Sequence, residues 1–506
     1  MRKERLTRTL LTGVLSLLMV AVVLPAGLSG QDDQQQSEES QKSLDKLQYR
    51  FDVLKDRVEY LEEELDEQKS SQDESDQFLQ TDFRPGYERP EGYMQPGRVD
   101  EFNLRVGRVG PMDFYMGLDT VGRMQALDHS NAYNGGTNLG DVSPDFQKAH
   151  GNISFLASFN DDRENKDPYL EVYLNWLISS RHHSEMFGDQ GYMLLSRLPD
   201  GPAPLRSLFD YVDVKAGEYE LPFGDHIYRR TNNGDVQQNA LIGNSVADGR
   251  ATETGVTVMN DSPSSEPGKI NWLLNVSSGD PTPSFQDGNG LAVLPKVWAN
   301  LAEELRLSLS AYRVDQSDNG PGFPVGGDSS NLYTGLRDTG GVYTGILGGG
   351  ADSGQVLFQG GQDVTAVQSD LTFTMGQFEL YGNLGFYNDE DVNGSLAGQP
   401  EEDWMYLTLE SVYHFSDRIY AAARYSNASA DELVTSGGAS SVDSGGRVDR
   451  IQIGGGYWIT DTILAKLEYV HQDYSGFDSS ERQVSGIDSW RDPSFDGVIA
   501  EVSFSF

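Results

Sequence analysis

Regular alternation of apolar and polar residues is the feature that most restricts the fold of this chain. At the C-terminus, Val502, Phe504 and Phe506 are apolar, whereas Ser503 and Ser505 between them are small and polar. A period of two places successive side chains on opposite faces of a β-strand, so such a strand has one apolar and one polar face. Comparable segments begin near residues 102, 153, 170, 270, 305, 378, 419 and 463. Residues 99–506 are therefore predicted to be all-β.

A closed barrel is the form in which such strands can cross a membrane. The mean hydropathy is −0.49, and beyond the N-terminal 30 residues no stretch is apolar enough for a spanning helix. Strands in a bilayer must satisfy all backbone hydrogen bonds with each other, which requires closure. Short turns alternate with long Gly-, Asp- and Ser-rich loops, as in outer-membrane barrels. We therefore predict a transmembrane antiparallel β-barrel, with Val502, Phe504 and Phe506 facing lipid on the closing strand.

An exported soluble β-protein is the alternative, because it would show the same alternation with its apolar faces turned inward. Export itself is predicted from residues 1–30. Basic residues precede an apolar run from Leu10 to about Leu24, and small residues follow, as in a secretory signal peptide. An uncleaved anchor is the other interpretation, since this run is almost long enough to span a bilayer. The absence of Cys excludes lipidation at a cysteine and suits an envelope protein.

A heptad pattern predicts a coiled coil within residues 31–69. Apolar residues recur at alternating spacings of three and four, with charged residues between them. A helix packed on the barrel would more often have a broader apolar stripe, so the narrow seam favours self-association. The seam consists of Leu44, Leu47, Phe51, Leu54, Val58, Leu61 and Leu65. Residues 70–98 are rich in Pro and Gly and are predicted to be a linker.

The net charge of −40 restricts the possible partners. An acidic surface of this kind argues against nucleic acid and against anionic lipid headgroups. Two explanations of the charge remain open. One is a host from a high-salt habitat, where ions screen the self-repulsion. The other is a set of long acidic surface loops.

One passage resembles a known family. Val212–Gly224, which ends in Leu-Pro-Phe-Gly, resembles the strand and Pro-Phe-Gly corner of the phosphate-selective porin O/P family. A long polar loop and a Gly-rich strand start at Glu253–Val256 follow it, and Asp167–Val172 resembles the preceding strand. The resemblance implies a homotrimer of barrels with about 16 strands. It also implies that the loop after Pro222-Phe223-Gly224 folds into the pore. Because a barrel with an even number of strands has both of its ends on the periplasmic side, the coiled coil is expected in the periplasm.

The same passage departs from the family in two respects. The segment Ser179–Ser207 between the matched strands is longer than the family pattern. Three acidic residues, Asp225, Asp235 and Asp248, accompany the basic residues of the loop. Phosphate selectivity in such porins depends on many inward-facing Arg and Lys residues, so phosphate specificity is not carried over.

Three arginines of this loop are the candidate constriction residues. Arg229, Arg230 and Arg250 would select anions or orient zwitterions if they lie at the narrowest point of the pore. The alternative is that they are ordinary loop cations paired with nearby carboxylates. Tyrosines are similarly ambiguous: Tyr219, Tyr228 and Tyr312 either line a path for sugars or belong to the interfacial aromatic girdle.

No catalytic, metal or cofactor site is predicted. His182, His183 and Glu185 form the one His-containing cluster, but adjacent residues of a strand point to opposite faces. No Ser/His pair is nominated as a nucleophile, and incidental calcium on acidic loops remains open. The expected function is therefore an outer-membrane porin for passive diffusion of small hydrophilic solutes or ions. The alternative is a structural anchor with a plugged barrel, tethered to peptidoglycan through the coiled coil.

The seam generates a test of self-association. A peptide of residues 37–69 should form a helical oligomer, and replacing Leu54 and Leu61 by Asp should abolish both helicity and association, because two charges would be buried in the seam without partners. Circular dichroism and sedimentation equilibrium measure the two properties. A wild-type peptide that stays monomeric and unfolded at high concentration and high salt would contradict the prediction.

Overall fold

The computed structural model describes residues 104–506, except 135–136, 139–140, 147–149, 160–167, 180–185, 201, 251, 261–265, 280–290, 316–341, 344, 347–353, 357–362, 390–401, 431–432, 435–440, 443–444 and 477–488. The predicted signal peptide, coiled coil and linker, and the His182/His183/Glu185 cluster, lie outside these residues. Within the part that is described, no helix is both long and apolar enough to cross a bilayer.

Strands make up most of the described chain. They are β1 Leu104–Val109, β2 Met112–Asn134, β3 Thr137–Asn138, β4 Asp141–Phe146, β5 His150–Phe159, β6 Leu170–Ser179, β7 Met186–Leu195, β8 Val212–Glu220, β9 Thr252–Asn260, β10 Ile270–Ser277, β11 Leu291–Ala302, β12 Leu305–Asp315, β13 Asp363–Met375, β14 Phe378–Asp389, β15 Glu402–Ser416, β16 Ile419–Ala430, β17 Leu433–Val434, β18 Ser441–Val442, β19 Gly446–Thr460, β20 Ile463–Ser475 and β21 Ser489–Ser505. One short helix, α1 Ala203–Leu208, precedes β8, and a 3-10 helix covers His226–Tyr228.

The strands close into an antiparallel barrel. β2 pairs with β5, and each strand from β5 to β15 pairs with the strand that follows it in the chain. β16 then pairs with β19, β19 with β20 and β20 with β21, and β21 closes the ring by pairing with β2. Among the described residues this gives a ring of 16 strands. The C-terminus lies at the seam, where the Phe506 amide donates to the Leu118 carbonyl at 3.1 Å and the Leu118 amide donates to the Phe506 carbonyl at 3.0 Å. The predicted barrel is therefore confirmed.

Alternation assigns each strand an inner and an outer face. Outward-facing Ile453, Leu467 and Val502 are each more than half exposed, whereas inward-facing Gln452 and Glu468 are buried. On the closing strand, Val502, Phe504 and Phe506 share the outward-facing side and Glu501 and Ser503 are buried inside. The outer surface is thus an apolar belt, and polar groups are collected in the interior.

The two ends of the barrel differ in their connections. Two-residue turns join four consecutive hairpins at one end, at residues 303–304, 376–377, 417–418 and 461–462. The C-terminus and the turn between β1 and β2 lie at this same end. The two longest connections, after β8 and after β12, lie at the opposite end and contribute residues to the interior, whereas the longest connection at the end with the short turns is residues 196–211 between β7 and β8. This asymmetry is typical of outer-membrane barrels, whose short turns face the periplasm.

Candidate functional site

A loop of residues 221–250 leaves the wall after β8 and lies inside the barrel. Nearly all of its side chains are buried. The turn into the lumen occurs at Pro222-Phe223-Gly224, where Gly224 has a φ of 70° and a Cβ atom would collide with Gln368 and His226. Glycine is the residue that takes this left-handed conformation without strain. The Leu-Pro-Phe-Gly corner therefore directs the loop inward, as the family resemblance implies. We refer to residues 221–250 as the inward loop.

Asp225 forms the first anchor of the inward loop. Its carboxylate lies 2.9 Å from Lys296 Nζ on β11 and 2.9 Å from Arg306 Nε on β12. Lys296 Nζ also donates to the Gly224 carbonyl at 2.8 Å, and the Gly224 amide donates to Ser310 Oγ at 3.0 Å. Burial opposes the charge, but Arg306 and Lys296 outweigh it and hold the pKa of Asp225 below its usual range. The anchor is therefore an ionised, buried contact.

Arg229 forms a second anchor against β14 and β15. Its guanidinium contacts the Glu379 carboxylate and lies 3.1 Å from Glu410 Oε1. The same guanidinium lies over the ring of Tyr381, 4.7 Å from its centroid. Glu410 is shared with Arg424 of β16, which donates from Nε at 2.7 Å. The inward loop is thus tied to three successive strands through one cluster of charges.

The middle of the loop crosses the lumen to β5. Asn233 has a φ of 53°, a left-handed conformation that Asn tolerates better than most residues. Its Nδ2 donates to the Gly151 carbonyl at 2.7 Å and to Asn152 Oδ1 at 2.8 Å. Asn152 Nδ2 donates in return to the Asn232 carbonyl at 3.1 Å. These bonds fix the loop on the wall opposite its first two anchors.

A third anchor holds residues 236–243 against β20. Lys466 Nζ donates to the carbonyls of Val236, Asn239 and Leu241, at 2.6, 3.0 and 3.2 Å. Glu468 Oε2 accepts from the amide of Ile242 at 2.6 Å and from the next amide at 3.1 Å. Charged wall residues therefore satisfy the backbone of a segment that forms no regular secondary structure, as a buried backbone requires.

The two ends of the inward loop are clamped together. Arg230 donates from Nε and Nη2 to the two oxygens of Asp248, both at 2.8 Å. Glu220, at the end of β8, accepts from Arg230 at 3.2 Å and from Arg250 at 2.8 Å, and Arg250 also lies 2.8 Å from Asp189. The pKa of Asp248 is lowered: burial opposes its charge, but the Arg230 guanidinium more than compensates. Bidentate Arg–carboxylate pairs of this kind are among the strongest polar contacts in proteins.

Parts of a second connection, between β12 and β13, pack on the inward loop. Tyr343 donates its hydroxyl to Glu468, and Gln452 Nε2 donates to the Tyr343 hydroxyl at 2.9 Å. The Val356 amide donates to the Val246 carbonyl at 2.8 Å, and Gln355 Nε2 donates to Asp248 Oδ2 at 3.1 Å. These residues join a cluster of buried apolar side chains that extends over inner faces of β2, β7, β9–β16 and β19–β21. The part of the lumen that this cluster occupies is therefore filled.

A cavity of about 110 Å³ remains open inside the barrel. It lies between the inward loop and the inner faces of β2 and β5–β10. Most of its lining side chains are amides, hydroxyls and tyrosines, with the charged residues Asp119, Lys215, Glu220 and Asp235 among them. The combination of a fixed loop and a polar cavity defines the candidate constriction site.

The arginines predicted for the constriction all lie on the inward loop, but they point to different partners. Arg229 reaches β14 and β15, Arg230 reaches the other end of the loop, and Arg250 reaches β7 and β8. Each is buried beside carboxylates. Tyr219 and Tyr228 line the cavity, and Tyr312 is buried inside the barrel, where it donates to Glu253 at 2.7 Å.

Sequence reasoning did not identify the wall residues that hold the loop. Lys296, Glu410, Arg424, Lys466 and Glu468 occupy inward positions of their strands. In the sequence these residues can be recognised as charged residues on the polar face of each strand. The alternation alone does not show which of them contact the loop. Among the described residues, no group of three His, Asp or Glu side chains is placed to hold a metal ion.

Comparison with known proteins finds similarity among solved structures. No family model and no curated protein matches the sequence. The outer membrane channel DcaP of Acinetobacter baumannii is 11% identical over 80% of this chain and 100% of that chain, with a TM-score of 0.47. An anion-selective porin from Comamonas acidovorans is 12% identical over 78% and 100%, with a TM-score of 0.46. OmpT, an outer membrane protein of Vibrio cholerae, is 10% identical over 79% and 99%, with a TM-score of 0.46.

Asp225 provides a test of loop anchoring. Asp225→Asn should release the inward loop, because Lys296 and Arg306 would lose their counter-charge, and breaking a buried ion pair typically costs about 3–5 kcal/mol. Hydrogen exchange of residues 224–250 should become faster while the wall strands stay protected. The matched control is Asp449→Asn, which breaks an exposed pair with Arg447 and should have little effect. Equal exchange in wild type and Asp225→Asn would contradict this role.

The surroundings of His226 predict how the docking of the inward loop inside the barrel depends on pH. Gln368 Nε2 can only donate to Nδ1, at 2.9 Å, so the neutral ring carries its proton on Nε2 and donates to the Gly249 carbonyl at 2.9 Å. Burial lowers the pKa of His226, although the facing carboxylates of Asp248 and Asp370 oppose this and Arg230 adds to it. A group with a lowered pKa in the folded state binds protons more readily when released.

Docking of the inward loop should therefore weaken as the pH falls from 7 to 5, through the ordinary histidine pKa of about 6.5. Asp225 and Asp248, whose pKa values are lowered, stay ionised over this range. Hydrogen exchange of residues 224–250, corrected for its intrinsic pH dependence, measures the effect. His226→Gln should remove the pH dependence. The same decline in that variant would assign it to other groups.

Proposed function

We propose that this chain forms an outer-membrane channel for the passive diffusion of small hydrophilic solutes or ions. The observation that carries the proposal is the inward loop, which is fixed across the lumen by buried ion pairs and leaves a polar cavity along one wall. Pore loops of barrels narrow an aqueous path in this way, and the side chains that line the narrowing set its selectivity. The proposal involves no cofactor and no chemical turnover.

The three arginines act in this proposal as constriction residues. They pair with the luminal carboxylates of Glu379, Glu410, Asp248, Glu220 and Asp189. Their charge therefore compensates acidic groups at the point where the path is narrowest, and where charges act more strongly than on an exposed surface. Because the chain is acidic overall, we infer a channel that prefers cations and whose preference the arginines moderate.

Outer-membrane lipid and two further copies of the chain are the proposed partners. The apolar outer belt and the short turns at the end that holds the C-terminus support insertion with that end in the periplasm. The heptad seam supports a homotrimer whose coiled coil lies in the periplasm. A host from a high-salt habitat remains one explanation of the acidic composition.

A plugged anchor is the second candidate function, and one observation favours it. The apolar cluster that includes Val246, Val342, Tyr343 and Ile346 is buried inside the barrel. Closely packed apolar side chains leave no room for an aqueous path in the part of the lumen that they occupy. In this alternative the barrel holds the chain in the membrane, and the coiled coil and linker tether it to peptidoglycan.

Conductance across a planar bilayer distinguishes the two candidates. The purified full chain should produce stepwise ohmic current increases if the cavity is part of a continuous path. A folded, inserted barrel without conductance would reject the channel and leave the anchor. Heat-modifiable migration on cold gels verifies folding in both cases.

Ion selectivity tests the arginines. Replacing Arg229 and Arg230 by Ser should raise the cation-to-anion permeability ratio at least about two-fold, because Glu379 and Asp248 would lose a cationic partner in a poorly screened lumen. Reversal potentials in a salt gradient measure the ratio. Arg447→Ser, which removes an exposed arginine from the outer face, is the matched control and should leave it unchanged. An unchanged ratio in the folded, conducting double variant would place both arginines outside the ion path.

A further inference from the structure

The luminal cavity is small compared with the pockets that bind organic ligands. Its volume of about 110 Å³ lies below the range of roughly 300–1,000 Å³ that is found for such pockets. Since one water molecule needs about 10–15 Å³ of this space, the cavity has room for on the order of ten water molecules. A small ion that keeps part of its hydration shell fits into this space, whereas a hydrated organic solute does not.

The wall of the cavity is held in place by hydrogen bonds within the protein. Ser154 Oγ donates to Asn175 Oδ1 at 3.2 Å. The Tyr219 hydroxyl lies 2.8 Å from Thr257 Oγ1 and accepts from Asn275 Nδ2 at 2.8 Å. These polar groups bond to each other, so the wall is suited to limit the size of a passing solute and not to bind it.

The inward loop bounds the cavity on its other side and is fixed there as well. Asn152 Nδ2 donates to the Asn232 carbonyl at 3.1 Å, and Gln238 Nε2 donates to the Arg230 carbonyl at 3.0 Å. Asn152, Asn232 and Gln238 all line the cavity. Widening of the gap therefore requires that the loop breaks its bonds to the wall.

Carboxylates outnumber cationic groups on the cavity lining. Asp119, Glu220 and Asp235 are the acidic lining residues, and Lys215 is the basic one. Glu220 is paired with arginines of the inward loop. The Lys215 ammonium lies over two tyrosine rings, 3.8 and 4.3 Å from their centroids, and these rings attract a cation electrostatically. The lining therefore favours small cations over small anions.

We infer that the gap between the inward loop and the wall is a size filter, which admits water and small inorganic cations and excludes organic solutes of the size of a monosaccharide or larger. The inference rests on the proposed function, since it narrows the range of solutes that the same path accepts. Tyr173 of β6 is the wall residue to test. Its bulky ring lines the cavity and packs against Tyr192, with centroids 5.0 Å apart.

Reversal potentials under bi-ionic conditions measure the size limit in planar bilayers. With potassium on one side and tetraethylammonium on the other, the full chain should be at least about ten-fold less permeable to tetraethylammonium. The two ions carry the same charge, so the comparison isolates size. Comparable permeability of both ions would overturn the size filter and leave the channel standing. A folded, inserted barrel without any current would overturn the channel and the size filter together.

Replacement of Tyr173 tests whether the wall of the cavity sets this limit. Tyr173→Ala should raise the permeability to tetraethylammonium relative to potassium at least about three-fold, because loss of the ring widens the gap. Tyr173→Phe keeps the ring and should behave as wild type does. The matched control is Tyr387→Ala, which removes a buried tyrosine of β14 that belongs to the apolar cluster and is not on the cavity lining.

Swelling of proteoliposomes in glucose gives a second readout that needs no current. Vesicles with the wild-type chain should not swell, whereas vesicles with Tyr173→Ala should. Swelling with wild type would overturn the size filter. An unchanged permeability ratio in folded Tyr173→Ala, or an equal increase in Tyr387→Ala, would also overturn the assignment of the filter to this cavity. If Tyr173→Ala does not fold, the two wild-type measurements still decide whether organic solutes are excluded.

Discussion

Burial of charge inside a closed barrel is the constraint on which this structure depends. Alternation sends every second side chain of the wall inward, and in this chain many of those side chains are ionised. A buried charge is costly unless it is paired and hydrogen-bonded. The inward loop supplies the partners: Asp225 for Lys296, Arg229 for Glu379, and backbone amides for Glu468. Wall and loop therefore satisfy each other's buried charges and backbone groups.

This mutual dependence explains why an irregular segment can keep a defined path. The inward loop contains one short 3-10 helix and otherwise no regular structure. Its backbone groups are paired instead with side chains such as Lys466, Asn152 and Ser310. These contacts come from strands on all sides of the barrel, so the loop is held from several directions. The loop and the apolar side chains packed on it fill part of the lumen, and a polar cavity remains beside the loop.

The sequence was sufficient to predict the barrel because the information is local. The two-residue period of apolar and polar side chains can be recognised within a single strand such as Ile463–Ser475, and each further strand shows the same period. The Pro222-Phe223-Gly224 corner could also be predicted, because the three residues that form this turn are adjacent in the chain. The pairing of Arg229 with Glu379 and Glu410 could not be predicted. These residues are far apart in the chain, and they meet only because strand order and register bring them to one height of the barrel.

The clamp between Arg230 and Asp248 has a consequence for the environment in which the protein can work. It joins two segments of the inward loop as a disulfide would, in a chain that contains no cysteine. Reducing agents leave such a closure intact. Dissolved salt also affects it little, because buried pairs are screened much less than exposed ones. A closure of this type keeps its geometry through changes of redox state and of salt concentration.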